Sequence, residues 1–479
     1  MSKSKHTIVN KLYFKSPPLL RSFIASIYGY KKRKTTYGSH FMKHLSLLKE
    51  TEYHSTKELQ KRQFILLKKF LLHASLNSEF YRELFLSHGL KVDEIKNEEE
   101  LRALPILEKE QIREYSSKID CSVLYGKTIK SQTSGGTRGN PLVLMLTEKC
   151  YQIENAYIPF SFSWYGLKTS NRIAKCAGHV VVSKEQTNPP FWVSDSLNNS
   201  LYLSSYHLTE ENLEHYIMEL KRFRPEILAG YPSSLYLIAL ANISYKANIK
   251  LKLVRTGSET LHDYQRDTIM NSFDCRIMNF YGSGEACVKA CECPEGKIHL
   301  QMLHGFTEVI KENGEKAHHG ESGRVVATGF SNYAYPLIRY NMDDEVLLSE
   351  DQVCKCGRGG ILLDSIIGRT VDYIITPEGE KISQFTKLFR DIDGVKNGQI
   401  VQDKIEEITL CLVVDNTYNK KAEKIIINNA RGTLGNTIRI NIKYVEQIER
   451  SNNAKFKFIL SSLDKEMFGQ QISNTDSNR

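Results

Sequence analysis

The stretch "SQTSGGTRGNPL", Ser131 to Leu142, packs hydroxyl side chains, three glycines and a proline between two apolar segments. Glycines permit positive φ and close backbone approach, and hydroxyls with free amides make a surface that wraps an anion. A phosphate cradle is one reading; an ordinary turn is the other, since the same residues punctuate most loops. The surroundings decide the fold. "PLVLMLT" (Pro141–Thr147), "RIAKCAGHVVV" (172–182) and "EILAGY" (Glu226–Tyr231) read as strands. "TEENLEHYIMELKRF" (Thr209–Phe223) reads as a helix capped by Thr209. Strands alternating with helices mean an α/β architecture with mainly parallel sheets.

Upstream, residues 41–115 carry helical apolar spacing, with Gly89 as a C-cap and Pro105 as a break. Downstream of Arg369 the texture changes to strand, helix, strand, a small α+β unit. "DSIIGRTVDYIITPEGEKIS" between the two is a candidate hinge. At 479 residues the chain exceeds a single core. The expected division is 1–367, opening with a mainly helical lead-in over 1–115, followed by 368–479.

Composition is that of a soluble globular protein, 41% hydrophobic and 25% charged. No apolar run reaches the length of a membrane span and the N-terminus lacks a signal-peptide core, so a cytoplasmic location is expected. The net charge of +10 raises a polyanionic partner, yet no nucleic-acid readout motif accompanies it. Basic residues concentrate in the first seventy positions; "KKRK" (Lys31–Lys34) fits a solvated face or contact with an anionic membrane surface. The ten cysteines do not suit a disulfide framework in so long a chain without an export signal.

Six polar clusters stand in order. They are Thr133–Gly139, "RTGSETL" (Arg255–Leu261), "NFYGSGEA" (Asn279–Ala286), "PLIRYNMDDEV" (Pro336–Val346), "IIGRTVD" (Ile366–Asp372) and "NNAKFKF" (Asn452–Phe458). With "CKCGR", and with "SSYHLTEENLEHYIMELKRFRPEILAGYPSSLYLIA" (Ser204–Ala239), this series resembles the adenylate-forming (AMP-binding) enzymes. Within them it is similar to the branch of phenylacetate–CoA ligases and capsular-polysaccharide-biosynthesis proteins. The resemblance spans nearly the whole chain. It implies an α/β fold with a large multi-sheet N-terminal adenylation domain and a small, mobile α+β C-terminal domain.

By the same resemblance, Thr133, Ser134, Gly135, Gly136, Thr137 and Gly139 would hold the β- and γ-phosphates of ATP. Gly257, Ser258 and Glu259 would line the adenine side, and Tyr281, followed by Gly282, would stack on the base. Asp344 would bind the ribose hydroxyls and Arg369 would help to hold the nucleotide. Glu285 would hold Mg2+, which takes hard oxygen ligands. Lys455 would bridge the α-phosphate and the attacking carboxylate. Cys293, His299, Cys354 and Cys356 would bind a structural Zn2+, with Cys291 as the substitute if Cys293 faces away. The chain departs from the family pattern at Arg138, Asn140, Gly284, Asp343, Val371 and Ala454.

The function implied is ATP-dependent activation of a small carboxylic acid through an acyl-adenylate. The acyl group would pass to coenzyme A or to an amine, such as an amino sugar, in polysaccharide biosynthesis. The alternative is a nucleotide-binding scaffold of a polysaccharide assembly with reduced catalysis. Gly284, Val371 and Ala454 favour the scaffold; Glu285, Asp344 and Lys455 favour the enzyme.

Overall fold

Local capping shapes the helical lead-in of the computed structural model, which describes residues 13–128, 130–133, 142–369, 374–377, 381–382, 388, 392, 394–435, 437–448, 456, 458–461 and 463. Helices α1 (Pro18–Thr36), α2 (Ser39–Glu50), α3 (Thr56–Asn77) and α4 (Glu79–Ser87) open it. Ser55 and Glu58 close a capping box at the start of α3, and Ser78 accepts from the Tyr81 amide to start α4. The next long helix, α5 (Glu148–Ser163), starts at Thr147, whose hydroxyl accepts from the Cys150 amide at 3.0 Å. Gln152 on α5 ties the lead-in down. Its Oε1 accepts from the His40 amide at 3.1 Å, and its Nε2 donates to the Thr35 carbonyl at 3.0 Å.

A two-stranded ribbon, β1 (Lys130–Thr133) with β2 (Val143–Leu146), flanks the glycine-rich loop. The main sheet takes β3 (Ile173–Ala177), β4 (Trp192–Asp195), β5 (Ser200–Ser204), β6 (Ile227–Gly230), β7 (Leu253–Gly257) and β8 (Arg276–Gly282). It continues through β9 (Lys289–Glu292), β10 (Ile298–Leu300), β11 (Gly305–Ile310), β12 (Ser322–Gly329), β13 (Tyr340–Leu348) and β14 (Leu362–Arg369). These twelve strands run in the order β11-β12-β13-β14-β10-β9-β8-β7-β6-β3-β5-β4. Only β5-β3-β6-β7-β8 are parallel neighbours; the other pairs are antiparallel. The mainly parallel sheet expected above is therefore a mixed one. Helices α6 (Leu213–Phe223), α7 (Pro232–Ser244) and α8 (Asp263–Phe273) provide crossovers in the first half, whereas short connections after β8 force antiparallel pairing.

Two boundaries also differ from expectation. The strand beginning at Ile173 ends at Ala177, and α6 begins at Leu213 after a 3₁₀ turn (Glu210–Asn212), with no side-chain cap from Thr209. The parallel half buries Leu228, Val254 and Ile277 against Leu235, Ile238 and Ile269 of α7 and α8. The antiparallel half buries Val325, Ala327 and Leu363 against Leu67, Phe70 and Leu71 of α3.

Beyond β14 come the short ribbon β15 (Ile374–Ile375) with β16 (Lys381–Ile382) and a separate sheet. That sheet orders β19 (Arg439–Tyr444), β18 (Glu407–Val414), β17 (Val395–Lys404) and β20 (Ile459–Ser461). Helix α9 (Lys420–Leu434), capped by Asn419, buries Ala422, Ile426, Ala430 and Leu434 in a core with Ile400, Ile408 and Leu410. This small C-terminal domain thus has its own sheet and its own core.

Candidate active site

The described motif residues converge where β7, β8 and β14 end, beside the middle of β13. Gly257 closes β7 beside Phe280 of β8, and Asp344 of β13 pairs with Arg369 of β14. A Cβ on Gly257 would lie 2.7 Å from the Phe280 carbonyl oxygen, so the close approach of the two strands requires glycine there. The Tyr281 hydroxyl donates to Asp344 Oδ2 at 2.7 Å, bringing together the residues expected at the base and the ribose. Glu285 is buried in the turn after β8. Three non-glycine residues with left-handed φ sit here: Ser258 at 69° and Ala286 at 59° in the turns after β7 and β8, and Asp343 at 57° within β13. Such backbone strain gathers at functional sites. Asp343 stands where the family favours glycine, and its positive φ explains that preference.

Glu259 joins three elements. Its Oε2 accepts from the Ser233 amide at the start of α7 at 3.2 Å, and its Oε1 accepts from the Phe456 amide at 2.7 Å. The ring of Phe458 lies 4.7 Å from that of His262, just before α8. The C-terminal domain therefore reaches the strand ends through the segment that carries the expected lysine. Lys455 itself, with Ser134, Gly135, Gly136, Thr137 and Gly139, lies outside the described residues, as do the departures Arg138, Asn140, Val371 and Ala454. Thr133 and Arg369 are placed by backbone alone.

A buried ionic cluster lies behind Gly282, and no local sequence pattern announces it. Glu154 of α5 faces Lys289 of β9 at 2.8 Å and His304 Nε2 at 2.7 Å, and accepts from Ser331 at 2.8 Å. Burial raises the Glu154 carboxyl, but His304 and Lys289 outweigh it and hold the group well below the usual carboxylate range. The ring of Phe280 is flanked by Arg255 at 4.5 Å and Lys289 at 5.8 Å. The cluster joins residues from α5, β9 and the loops after β10 and β12, too far apart in the chain to show as a motif. His207, by contrast, is packed: its Nδ1 lies 2.7 Å from Ser204 Oγ and its ring stacks on Phe191.

The four expected thiol and imidazole ligands do come together. One donor atom from each of Cys293, His299, Cys354 and Cys356 lies within 4.8 Å of the others. Cys356 Sγ is 3.3 Å from His299 Nε2, and Cys293 Sγ is 3.7 Å from Cys354 Sγ. Burial raises the Cys356 thiol, but hydrogen bonding to His299 and the backbone brings it down to about 6. Three sulfurs and one imidazole nitrogen converging at this spacing fit a tetrahedral soft-metal site. Cys291 lies outside the cluster, with its thiol against Ser161.

The fold is similar to that of adenylate-forming ligases, and the described motif residues gather on one side of its main sheet. Residues 374–462 match the family model described as the CapK C-terminal domain. Protein CapK of Staphylococcus aureus is 27% identical over 465 residues, covering 95% of this chain and all of the relative. The phenylacetate–coenzyme A ligase of Thermus thermophilus is 24% identical, covering 64% of this chain and 70% of that one. In fold, the chain is similar to 2-hydroxyisobutyryl-CoA ligase in its postadenylation state, with a TM-score of 0.70 at 16% identity, covering 88% of this chain and 94% of the other. Over most of its length the chain is thus similar to CapK and to the phenylacetate–CoA ligases.

Proposed function

We propose that the protein condenses a small carboxylic acid with ATP and passes the acyl group from the resulting adenylate to an acceptor. The observation that carries this reading is the convergence of Tyr281, Asp344 and Glu259 at the strand ends, with the Phe456 segment docked beside them. A substrate carboxylate oxygen would attack the α-phosphorus of ATP while the bond to pyrophosphate breaks. Little covalent work is asked of the protein, so positioning and charge stabilisation dominate.

In this reading Thr133, Ser134, Gly135, Gly136, Thr137 and Gly139 hold the leaving phosphates. Tyr281 and the Gly257–Glu259 turn hold the base, and Asp344 with Arg369 holds the ribose side. The buried carboxylate of Glu285 suits an oxygen-seeking Mg2+, whose charge, when bound, offsets that of the phosphates. Lys455 places a cation between the α-phosphate and the attacking carboxylate. Rotation of the C-terminal domain beyond the end of β14 after adenylation would withdraw Lys455 and admit the acceptor. Coenzyme A is supported as acceptor by the phenylacetate–coenzyme A ligases among the relatives, and an amine such as an amino sugar is the alternative acceptor. The Cys293, His299, Cys354 and Cys356 set holds a structural Zn2+. A second reading, a nucleotide-holding scaffold, is favoured by Gly284 and Ala454, where the family pattern has threonine and glycine.

Carboxylate-dependent ATP–pyrophosphate exchange across a panel of small acids tests the proposal. Exchange with one acid class, reduced by about a hundredfold or more in Glu285→Ala and Lys455→Ala, is the expected result. Nucleotide binding without exchange for any acid would favour the scaffold. Adding coenzyme A or an amino sugar to the adenylating enzyme then separates the acceptors.

A further inference from the structure

Helix α1 is packed the wrong way round for an ordinary surface helix. It meets β4, the turn Ser196–Asn198 and α5 through small and polar side chains. Ser22 Oγ accepts from the Ser194 amide at 3.3 Å, Ser26 Oγ accepts from the Ser196 amide at 3.1 Å, and Arg21 donates to Gln186 at 3.0 Å. At Gly29 the helix approaches so closely that a Cβ would fall 2.1 Å from Asp195 Oδ2. The large apolar residues consequently point outward. Leu19 is 87% exposed, Phe23 62% and Tyr28 67%, with Leu20, Ile24, Ile27 and Tyr30 exposed beside them. At 100° per residue these positions occupy about half of the helix circumference. A contiguous apolar face of this kind on a soluble protein marks an interaction surface.

The charge around it indicates what covers it. Residues 1–49 contain eleven lysines and arginines and no aspartate or glutamate. Lys31, Lys32, Arg33 and Lys34 are exposed and continue α1 directly from its apolar part. A groove of about 540 Å³ at that end is lined by Tyr30, Arg33, Lys34, Tyr37, Phe41 and Met42. A second copy of the chain would bring two such basic regions together in like-charge repulsion. Exposed apolar side chains beside an unopposed basic cluster instead match a bilayer with anionic headgroups, which takes the former into its acyl boundary and pairs the latter with phosphate. No described helix is long and apolar enough to cross a membrane, so the attachment is peripheral.

We propose that the outer face of α1 and its basic C-terminal end form a docking surface for anionic membrane. The full-length protein should co-sediment with vesicles of phosphatidylcholine and phosphatidylglycerol at low salt, and not with phosphatidylcholine alone. Raising salt should release it, because exposed charges are screened. The double variant Lys31→Glu with Lys34→Glu should reduce partitioning by roughly thirtyfold or more, at about 1 kcal/mol per surface cation. Phe23→Ser with Ile27→Ser should reduce it by about tenfold or more. Both pairs are solvent-exposed, so an unchanged thermal midpoint is expected to accompany the loss. No sedimentation of the native chain with anionic vesicles, or sedimentation unaffected by both variants, would overturn the proposal. So would a native dimer that the Phe23 and Ile27 variant makes monomeric, which would assign the face to a second copy.

Discussion

Arg339 shows how a single residue can hold a site without touching it. Its guanidinium forms a bidentate pair with Glu308, at 2.9 and 3.0 Å, and both side chains are buried. It also donates to the Arg102 and Leu104 carbonyls, pinning the start of β13, and so Asp344, to the lead-in. Arg339→Met would strip the buried Glu308 of its bidentate partner and leave it only Arg102 at 3.9 Å, at a cost of up to about 3–5 kcal/mol measurable by urea unfolding. His44 makes a second case. Burial, reinforced by His304, lowers its pKa to about 4, although Glu154 acts in the opposite direction. Below the ordinary histidine value of about 6.5 the unfolded chain takes up a proton that the folded chain refuses until about pH 4. Stability from this group is therefore complete above pH 6.5 and falls toward pH 4, by up to about 1.4 kcal/mol per pH unit. His44→Gln should flatten the dependence across that window; an unchanged slope would show that His44 takes up its proton at the same pH in the folded and the unfolded chain.

Among the elements, the hairpins around the thiol cluster were the most legible part of the site. Cys293 and His299 flank the β9–β10 turn, Cys354 and Cys356 lie between β13 and β14, and β10 pairs directly with β14. Cysteines and a histidine at short spacing carry a chemical signature that survives without knowledge of the fold. The Glu154, Lys289 and His304 cluster carries none, since each residue reads alone as a helix acid, a strand cation or a loop histidine. The outward apolar face of α1 is equally hidden, because periodicity shows that a helix has faces but not which one is buried. That choice depends on the small residues Ser22, Ser26 and Gly29 finding a close partner in β4 and the following turn. A metal at the thiol cluster would staple two hairpins of the main sheet. Cys354→Ser should then lower bound zinc, measured by elemental analysis, well below one equivalent. The thermal midpoint should drop by about 5 °C or more. A variant with full zinc content would exclude Cys354 as a ligand.

For the molecule as a whole, the question is what holds the C-terminal domain against the main sheet. The exposed Lys396–Glu210 pair at 2.8 Å contributes little, since pairs of this kind are screened by solvent. Glu259 is better placed, because one buried-side carboxylate serves both the α7 start and the Phe456 amide. Charge-assisted hydrogen bonds of this type contribute about 1.5–3 kcal/mol each, and the bond to Phe456 exists only in the docked arrangement. Removing it shifts the balance between docked and undocked states roughly ten- to a hundredfold toward the latter. Glu259→Ala should therefore increase amide hydrogen exchange at Phe456 and along β20 while the core of β17 and β18 stays protected. Pyrophosphate exchange should fall by a similar factor, because the lysine segment is presented less often. Glu259→Gln retains an acceptor at the same position and should recover part of both effects. If exchange at β20 is the same in native and Glu259→Ala protein, the latch lies elsewhere, and the contact of His262 with Phe458 becomes the next place to cut.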